Sequence, residues 1–329
     1  IEAGTVIVES GEIVWGYPRI RRPLMLEAAI KGHFIDSVAV EEKMNGHNVR
    51  ITSIDGNIVA LTRGGFICPY STEVAARLLP EEIFERLPGL VLCAEMVGPE
   101  NPYVSSEVYP TDSIDLYLFD VAQRNRRGTY GVYKTQEIAD RFGLRATAFF
   151  GEFPLKTAHQ RIREIILKLG RQGREGVVLK DPKNRVEPLK YTSSESNCSD
   201  LEIAFRYYND YAQDFFLSRA VREGFQSVEW KEPEEERRER ARRIGESILL
   251  PLIETIEKKQ RGETITQRIQ IRVESLATAR GFEYHLRRCG IRAIFDQPLP
   301  EDDGYRIGIT KIIMSTNDKT EALLDGEMW

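Results

Sequence analysis

Residues 47–65 read HNVRITSIDGNIVALTRGG. Val49, Ile51 and Ile54 precede Asp55-Gly56, and Ile58 to Leu61 follow it. An Asp-Gly pair between two such runs accepts positive φ at both turn positions and closes a tight antiparallel hairpin. The same texture runs through the first two-thirds of the chain. GTVIVESGEIVWGYP reads as another hairpin, with Val6 and Val8 on one side of Glu9-Ser10-Gly11 and Ile13 and Trp15 on the other. GLVLCAEMVG, SIDLYLFDVA and GREGVVLKD are short apolar runs between turn residues, as buried strands are. Helices interleave at 71–79, capped by Ser71 or Thr72, and at 157–172. This mixture predicts an α+β domain with curved antiparallel sheets.

Near Asp200 the texture changes. Leu201, Ala204, Phe205, Tyr208, Ala212, Phe215 and Phe216 recur at helical spacing. The stretch from Glu232 to Gln260 is helical as well. Pro233 suits a first helical turn, Glu234 to Glu236 sit near the positive dipole end, and Lys258 and Lys259 near the negative end. The charge run from Glu232 to Arg243 reads as a solvated face laced by i,i+4 pairs, because its glutamates cancel the field a basic RNA-contact surface would need. Tyr207, Tyr208, Tyr211, Phe215 and Phe216 are more aromatic than a thin helical layer requires. An intramolecular core and a subunit interface explain them about equally well. From Ile291 the chain reads as two strands around Asp302-Asp303-Gly304 and a closing helix after Ser315 or Thr316.

The formal net charge over 329 residues is -5. A protein that coats long nucleic acid is usually basic, because each phosphate contact needs a cation. The acidic balance argues against that role and leaves room for an enzyme that touches a few nucleotides near a chain end. The four cysteines are widely spread without a C-x-x-C pair, as reduced thiols of a cytoplasmic protein would be. The four histidines are equally scattered, which disfavours an imidazole metal site. No apolar run approaches ~18 residues, so no membrane partner is expected. No signal segment is visible. The first residue is Ile1, not methionine, which leaves the true N-terminus open.

EEKMNG, from Glu41 to Gly46, sets one lysine between two acidic residues and a glycine turn at the mouth of a strand. Lysine-x-x-glycine alone is a weak signal. The features that follow strengthen it. LTRGG places Arg63 at a strand end. LCAEMVG puts Glu95 inside an apolar strand, where an unpaired carboxylate is costly. LYLFD ends on Phe119 and Asp120. REGVVLK has Glu175 before a strand and Lys180 at its far end, and EPLKYT carries Lys190. Taken singly, each is better read as a turn cation, half of a buried ion pair, a core ring or an edge-strand residue. Taken as an ordered set, those readings become poor.

The set resembles the covalent nucleotidyltransferase superfamily of ATP-dependent ligases and RNA capping enzymes. Lys43-Met44-Asn45-Gly46 is similar to its nucleophile motif, lysine-x-aspartate-glycine. Arg63-Gly64, Glu95, Phe119-Asp120, Glu175-Gly176-Val177-Val178 and Lys190 resemble the later motifs in order, over about residues 41–192. The EKMNGHNVR stretch and the helical texture after it most resemble the archaeal-type homodimeric ATP-dependent RNA ligase family. Two departures stand out. Asn45 replaces the usual aspartate, which favours RNA over DNA, since RNA ligases tolerate other residues there. Pro188 stands where a lysine is common, leaving its role to Lys180 or an arginine. No match to the C-terminal motif of an OB-type domain is present.

The resemblance implies an antiparallel-sheet, ligase-type nucleotidyltransferase domain at 23–197, after part of an N-terminal module at 1–22. A helical dimerisation module at 198–262 and a small α/β C-terminal module at 263–329 would follow. It implies Lys43 as nucleophile, with Glu41, Glu42, Asn48, Arg63, Glu95, Phe119, Glu175, Lys180 and Lys190 binding nucleotide. Phe119 would stack on adenine. Glu41, or the backbone beside Lys43, would accept from the adenine amino group. Glu95 and Glu175 are oxygen donors for Mg²⁺ or Mn²⁺, with the ribose hydroxyls as the other reading of Glu95. Asn48 would meet the ribose or the RNA end, and Arg50, on the same strand face, a phosphate. A lysine of ordinary pKa, ~10.4, offers little free amine at neutral pH. Burial, a metal, and Lys180, Lys190 and Arg63 as neighbouring cations would lower it.

The implied reaction uses ATP to form lysyl-AMP, passes AMP to an RNA 5′-phosphate, and seals or circularises the RNA by attack of a 3′-hydroxyl. The partners would be such RNA ends and a second copy of the chain. The competing readings are a capping-type guanylyltransferase using GTP, a DNA ligase, and a catalytically silent dimeric RNA-binding protein.

Overall fold

In the computed structural model, which describes residues 1–80, 82–104, 109, 111 and 113–328, the chain opens on a short hairpin of β1 (Val6–Ile7) and β2 (Ile13–Val14). Val8 and Trp15 fall outside it. Trp329, the end of the fourth expected segment, lies outside the described residues. α1 (Leu26–His33) and β3 (Ser37–Lys43) follow. β4 (His47–Ile54) and β5 (Asn57–Thr62) form the Asp-Gly hairpin, with φ of 49° at Asp55 and 78° at Gly56. α2 (Pro69–Leu78) starts before the expected Ser71. Pro69 fits the first turn because its missing N–H has no helical partner to lose, and the Cys68 thiol accepts from the Ser71 amide at 3.5 Å. α3 (Ile83–Arg86), β6 (Leu90–Val97), β7 (Asp115–Gln123), α4 (Val132–Phe142), β8 (Phe149–Pro154), α5 (Leu155–Arg171), β9 (Gly176–Lys180) and β10 (Leu189–Thr192) come next.

These strands build two antiparallel four-stranded sheets, ordered β5-β4-β6-β7 and β10-β9-β3-β8. Val49, Ile51, Leu92 and Leu118 of the first pack with α2 and α4 through Val74 and Ile138. Val38, Val40, Val177 and Tyr191 of the second pack with α1 and α5 through Ile30, Ile162 and Ile166. Burial of each large aliphatic chain contributes about 1.5–3 kcal/mol, so each sheet is held by its own helices. A cleft remains between the sheets. Arg50 does not reach it. Its buried guanidinium donates to the carbonyls of Trp15 at 2.6 Å, Gly4 at 2.7 Å and Thr62 at 3.2 Å, tying the N-terminal segment to the sheet. The expected phosphate contact is therefore corrected: unmet backbone acceptors claim this arginine.

α6 (Ser194–Arg206), α7 (Gln213–Glu229) and α8 (Glu234–Gln260) form the helical part. The charge run is solvated where Arg238 meets Glu234 at 3.1 Å and Arg242 meets Glu239 at 2.6 Å. Arg240 is the exception. It is buried and joined to both Glu223 and Glu232. Phe205 and Phe216 pack at 4.6 Å between centroids and Tyr211 and Phe215 at 5.0 Å, so these rings do pack within the chain, although they stay half-buried.

The last part comprises β11 (Thr266–Val273), α9 (Leu276–Arg288), β12 (Ala293–Phe295), β13 (Leu299–Glu301), β14 (Gly304–Ile312) and α10 (Met314–Leu324). β14 pairs with all three other strands, and the stretch after Ile291 holds three strands where two were expected. α10 begins at Met314 because Asp210, from the segment between α6 and α7, accepts from the Thr316 amide at 2.8 Å and so caps the helix from outside. Ile271, Phe282 and Ile309 share a core with Tyr70 and Val74. This part is thus fused to the back of the first sheet.

Candidate active site

A cavity of about 470 Å³ opens between the two sheets. Lys43, Glu42, Val178 and Lys190 line it from the second sheet, and His47, Asn48, Glu95 and Phe119 from the first. Arg63 sits exposed at its mouth after β5. Tyr17, Pro18 and Ile20 close it from the N-terminal segment. Seven of the ten expected residues therefore meet on one surface: Lys43, Glu42, Asn48, Arg63, Glu95, Phe119 and Lys190.

Strand register explains the meeting. Lys43, the last residue of β3, lies opposite Gly176, the first of β9, so the preceding Glu175 reaches the lysine and accepts from Nζ. Gly176 has φ +150°, and a Cβ there would lie 2.3 Å from the Tyr191 carbonyl oxygen. Gly46 is as confined, since its Cβ would lie 2.1 Å from the Met96 carbonyl oxygen. The glycine of the EKMNG stretch lets β3 turn into β4 against β6. Asn48 then lies opposite Glu95.

Charge is concentrated here. Burial raises the Glu95 carboxyl to about 7, opposed by Lys43 and reinforced by Glu175. Burial also lowers Lys190 to about 8, with Lys43 and Arg22 repelling its charge. Glu42 is held by Arg174, whose Nη1 lies 2.8 Å from both oxygens. Phe119 meets the Tyr17 ring edge-on at 5.1 Å.

Glu41 and Lys180 do not line the cavity. They form a buried network behind Phe119. Lys180 Nζ lies 2.6 Å from Glu41, 3.6 Å from Asp120 and 2.5 Å from the Phe119 carbonyl oxygen. Tyr17 donates to Asp120 at 3.0 Å. Burial opposes the Lys180 charge, but Asp120 and Glu41 outweigh it and raise its pKa. Glu41 and Lys180, expected to face the nucleotide, are paired with each other in this structure, deeper along the strands. Lys180 is committed here to Glu41 and Asp120 rather than to the cavity. Arg22 lies within electrostatic reach of both Lys190 and Glu175, and Arg63 within reach of Lys190.

Sequence reasoning missed Tyr17, His47, Tyr103 and Thr147, all of which line the cavity. Thr147 Oγ1 and Asn48 Oδ1 are buried there without a hydrogen-bond partner. A buried polar atom left unpaired costs about 1–3 kcal/mol, so both are suited to a ligand. Thr147 lies between elements and carries no periodic signal. His47 donates and accepts through Asn101 at 2.9 Å and Ser71 at 3.2 Å, and burial lowers it to about 4, so it is neutral near pH 7. Among the described residues no group of three or more His, Cys, Asp and Glu gathers as a metal site. No helix of the described residues is long and apolar enough to cross a membrane.

A lysine amine between acidic and basic side chains, in a cleft between two antiparallel sheets, is the arrangement of a nucleotidyltransferase. Comparison narrows the class. Residues 36–192 match the RNA ligase family, and residues 203–327 match the family described as the ligase Pab1020 C-terminal region. An archaeal ATP-dependent RNA ligase structure is 43% identical, covers 100% of this chain and 88% of its own, and superposes with a TM-score of 0.93. A putative ATP-dependent DNA ligase from Aquifex aeolicus is 27% identical, with 99% of this chain and 90% of that one covered and a TM-score of 0.93. An uncharacterized protein of Methanocaldococcus jannaschii is 38% identical over 339 residues, 100% of this chain and 86% of that protein. The chain belongs to the archaeal-type ATP-dependent RNA ligase family.

Proposed function

We propose that this ligase joins RNA ends in three nucleotidyl-transfer steps, with Lys43 as nucleophile. The observation that carries the reading is the Lys43 amine, bound to Glu175 and facing the same cavity as Lys190 and Glu95. Lys43 Nζ attacks the α-phosphorus of ATP, loses its proton, and pyrophosphate leaves. AMP then passes from the lysine to an RNA 5′-phosphate. A 3′-hydroxyl attacks that activated phosphate, closes the strand or circle, and releases AMP. Lys190 and Arg63 steady phosphate charge through these transfers. Phe119 stacks on adenine, a contact worth about 1–3 kcal/mol. Asn48 Oδ1 and Thr147 Oγ1 are unpaired buried atoms available to nucleotide groups.

Glu95 and Glu175 would hold Mg²⁺ or Mn²⁺. The fit is chemical: Mg²⁺ takes one or two carboxylates with phosphate and water oxygens, and the Glu95 carboxyl, whose proton affinity burial and the nearby Glu175 raise, would gain from a cation. The ion supplies neutralisation of phosphate charge. Glu41 and Lys180 serve by fixing the Phe119 backbone, and Glu42 by anchoring Arg174.

Residues 23–197 act as the catalytic domain behind the N-terminal segment 1–22, and residues 198–262 as a dimerisation module. Supporting the dimer, Leu217, Val221, Phe225 and Val228 are exposed along one face of α7. Residues 263–329 form the C-terminal module. The cytoplasm, where these free thiols stay reduced, is the fitting compartment.

The test is mass spectrometry after incubation with Mg²⁺ and either ATP or GTP. One added AMP, lost in Lys43→Ala, is expected. A GMP adduct would point to a capping enzyme, and no adduct with tight RNA binding to a silent binding protein. The Aquifex relative named a DNA ligase makes the acceptor a separate question. Nicked strands with RNA or DNA at the 3′ side answer it, with RNA expected to be preferred.

A further inference from the structure

The cavity holds two aromatic groups, and one adenine needs only one of them. Phe119 of β7 and Tyr17 of the N-terminal segment, packed edge-on, form one. His47, at the start of β4, and Tyr103, on the loop after β6, form the other, with ring centroids 4.6 Å apart at 63°. Tyr103 turns its polar end away from the cavity. Its hydroxyl lies 2.9 Å from His285 Nε2 and 3.4 Å from the Cys68 thiol.

The segment from Glu100 to Tyr103 is fixed from two sides. Within the catalytic part, Asn101 Oδ1 accepts from the Tyr103 amide at 3.0 Å and faces His47 Nδ1 at 2.9 Å, while its Nδ2 donates to the Met96 carbonyl at 2.6 Å. From the C-terminal part, three elements reach the same segment. Arg272 of β11 lies 3.7 Å from Glu100, His285 of α9 meets Tyr103, and the buried Lys311 of β14 donates to the Pro102 carbonyl at 2.5 Å. Lys311 Nζ also lies 5.8 Å from the Tyr103 ring centroid. A buried ammonium is costly. Placing it under an aromatic ring and a loop carbonyl is a specific use of that cost, not surface chemistry.

We propose that Tyr103 and His47 form a second platform that takes a nucleobase of the RNA end being joined, and that the C-terminal module holds this platform in position. The inference rests on the RNA-joining reading above. Recognition of single-stranded RNA ends works largely by stacking unpaired bases on aromatic side chains. The nucleotide bearing the reacting group must share the cavity with the activated phosphate, and these are the rings there that adenine on Phe119 leaves free. Tyr103 would contact the base, whereas His285, Lys311 and Arg272 are positioning residues.

The experiment separates ATP use from RNA use in the full-length protein. Tyr103→Ala, Tyr103→Trp and a His285→Ala/Lys311→Met double variant are compared with the parent. Lysyl-AMP formation reads the first step. Joining of pre-adenylated RNA reads the last. In Tyr103→Ala the KM for pre-adenylated RNA is expected to rise about tenfold or more, with kcat less affected and the KM for ATP unmoved. Tyr103→Trp, which keeps a ring, restores the RNA KM. The double variant raises the RNA KM in the same way, which simple loss of folding would not do while ATP use persists. A 2-aminopurine placed at the RNA end should be quenched on binding the parent and not on binding Tyr103→Ala. Parent-like RNA KM and quenching in Tyr103→Ala, or a defect confined to ATP, would overturn the proposal. Failure of the parent itself to form lysyl-AMP would instead refute the ligase reading, while the quenching arm would still report on the platform.

Discussion

Lys43 and Glu175 meet because Lys43 lies opposite Gly176 in the β3–β9 pairing. The contact depends on backbone that only glycine tolerates, with φ +150° and the Tyr191 carbonyl 2.3 Å from a would-be Cβ. Gly176→Ala should displace β9 from β10 and carry Glu175 off the lysine. We expect adduct formation with ATP to fall at least about tenfold and the melting temperature to drop, since close backbone contact and strain each cost about 1–3 kcal/mol. Glu175→Gln, which keeps the backbone, should lose adduct formation with little loss of stability. Equal melting losses in both variants would show that the register argument is wrong.

Lys190 provides a pH test. Its pKa is lowered to about 8, chiefly by burial and then by Lys43. It is charged at pH 7 and neutral at pH 9. If it holds a phosphate, ATP affinity is greatest at pH values below 8 and declines as pH rises above it, because the bound anion favours the protonated form. Lys190→Arg remains charged and should flatten that decline. Calorimetric titration of ATP across pH 7–9.5 measures it, and an unchanged slope in Lys190→Arg would exclude the contact.

Lys180 is expected to matter for stability more than for phosphate chemistry. Removing it as Lys180→Met leaves the Glu41 and Asp120 carboxyls buried together. Breaking a buried ion pair from one side costs about 3–5 kcal/mol. Urea unfolding should show a loss of that order. The Lys180→Met/Glu41→Gln double variant should recover part of it, because one stranded charge is gone. A Lys180→Met protein as stable as the parent but unable to bind ATP would return Lys180 to the nucleotide site.

Glu95 works in the opposite direction. Its folded-state pKa is raised from 4.5 to about 7. A raised pKa contributes stability that is complete below the unfolded value and is lost as pH climbs through about 7. Ionising this carboxyl in the fold therefore destabilises it by up to about 3 kcal/mol. Glu95→Gln should be more stable than the parent at pH 8, with the gap narrowing toward pH 5, and inactive throughout if the carboxylate is needed for metal or ribose. Chemical unfolding at the two pH values measures the gap. A gap independent of pH would mean that Glu95 is not strained by its burial.

How much of this was readable from the chain depends on where each residue's partner lies. Lys43, Glu95, Phe119 and Lys190 sit on or at the ends of strands whose apolar runs are plain, and their order along the chain survives into the cavity. Glu41 has the same strand parity as Lys43 but sits two residues back, about 7 Å along β3, which is enough to place it behind Phe119 with Lys180. Spacing alone cannot distinguish those depths. Arg50 shares a face with Asn48, yet distant carbonyls of Gly4 and Trp15 capture it. Phe282 and Ile271 share a core with Tyr70 and Val74, and nothing local in the sequence says that these are partners. Tyr103 and Thr147 lie outside regular elements, where periodicity carries no signal.

The exposed face of α7 gives the last prediction. Leu217 is 65% and Val228 66% exposed, with Val221 and Phe225 between them at helical spacing. Four apolar side chains on one solvent-facing stripe are a cost in a monomer and a contact in a dimer, since apolar burial contributes about 25 cal/mol per Å². Phe225→Glu and Leu217→Glu each place a charge in that contact without touching the cavity, so lysyl-AMP formation should be retained. Sedimentation at micromolar concentration should show the parent as a dimer and the Leu217→Glu/Phe225→Glu protein as a monomer, with dissociation strengthened about a hundredfold or more. A parent that sediments as a monomer would reject the dimer. A double variant that stays dimeric would move the interface away from this stripe, and the half-buried rings of Phe205, Tyr211, Phe215 and Phe216 would then be the surface to charge next.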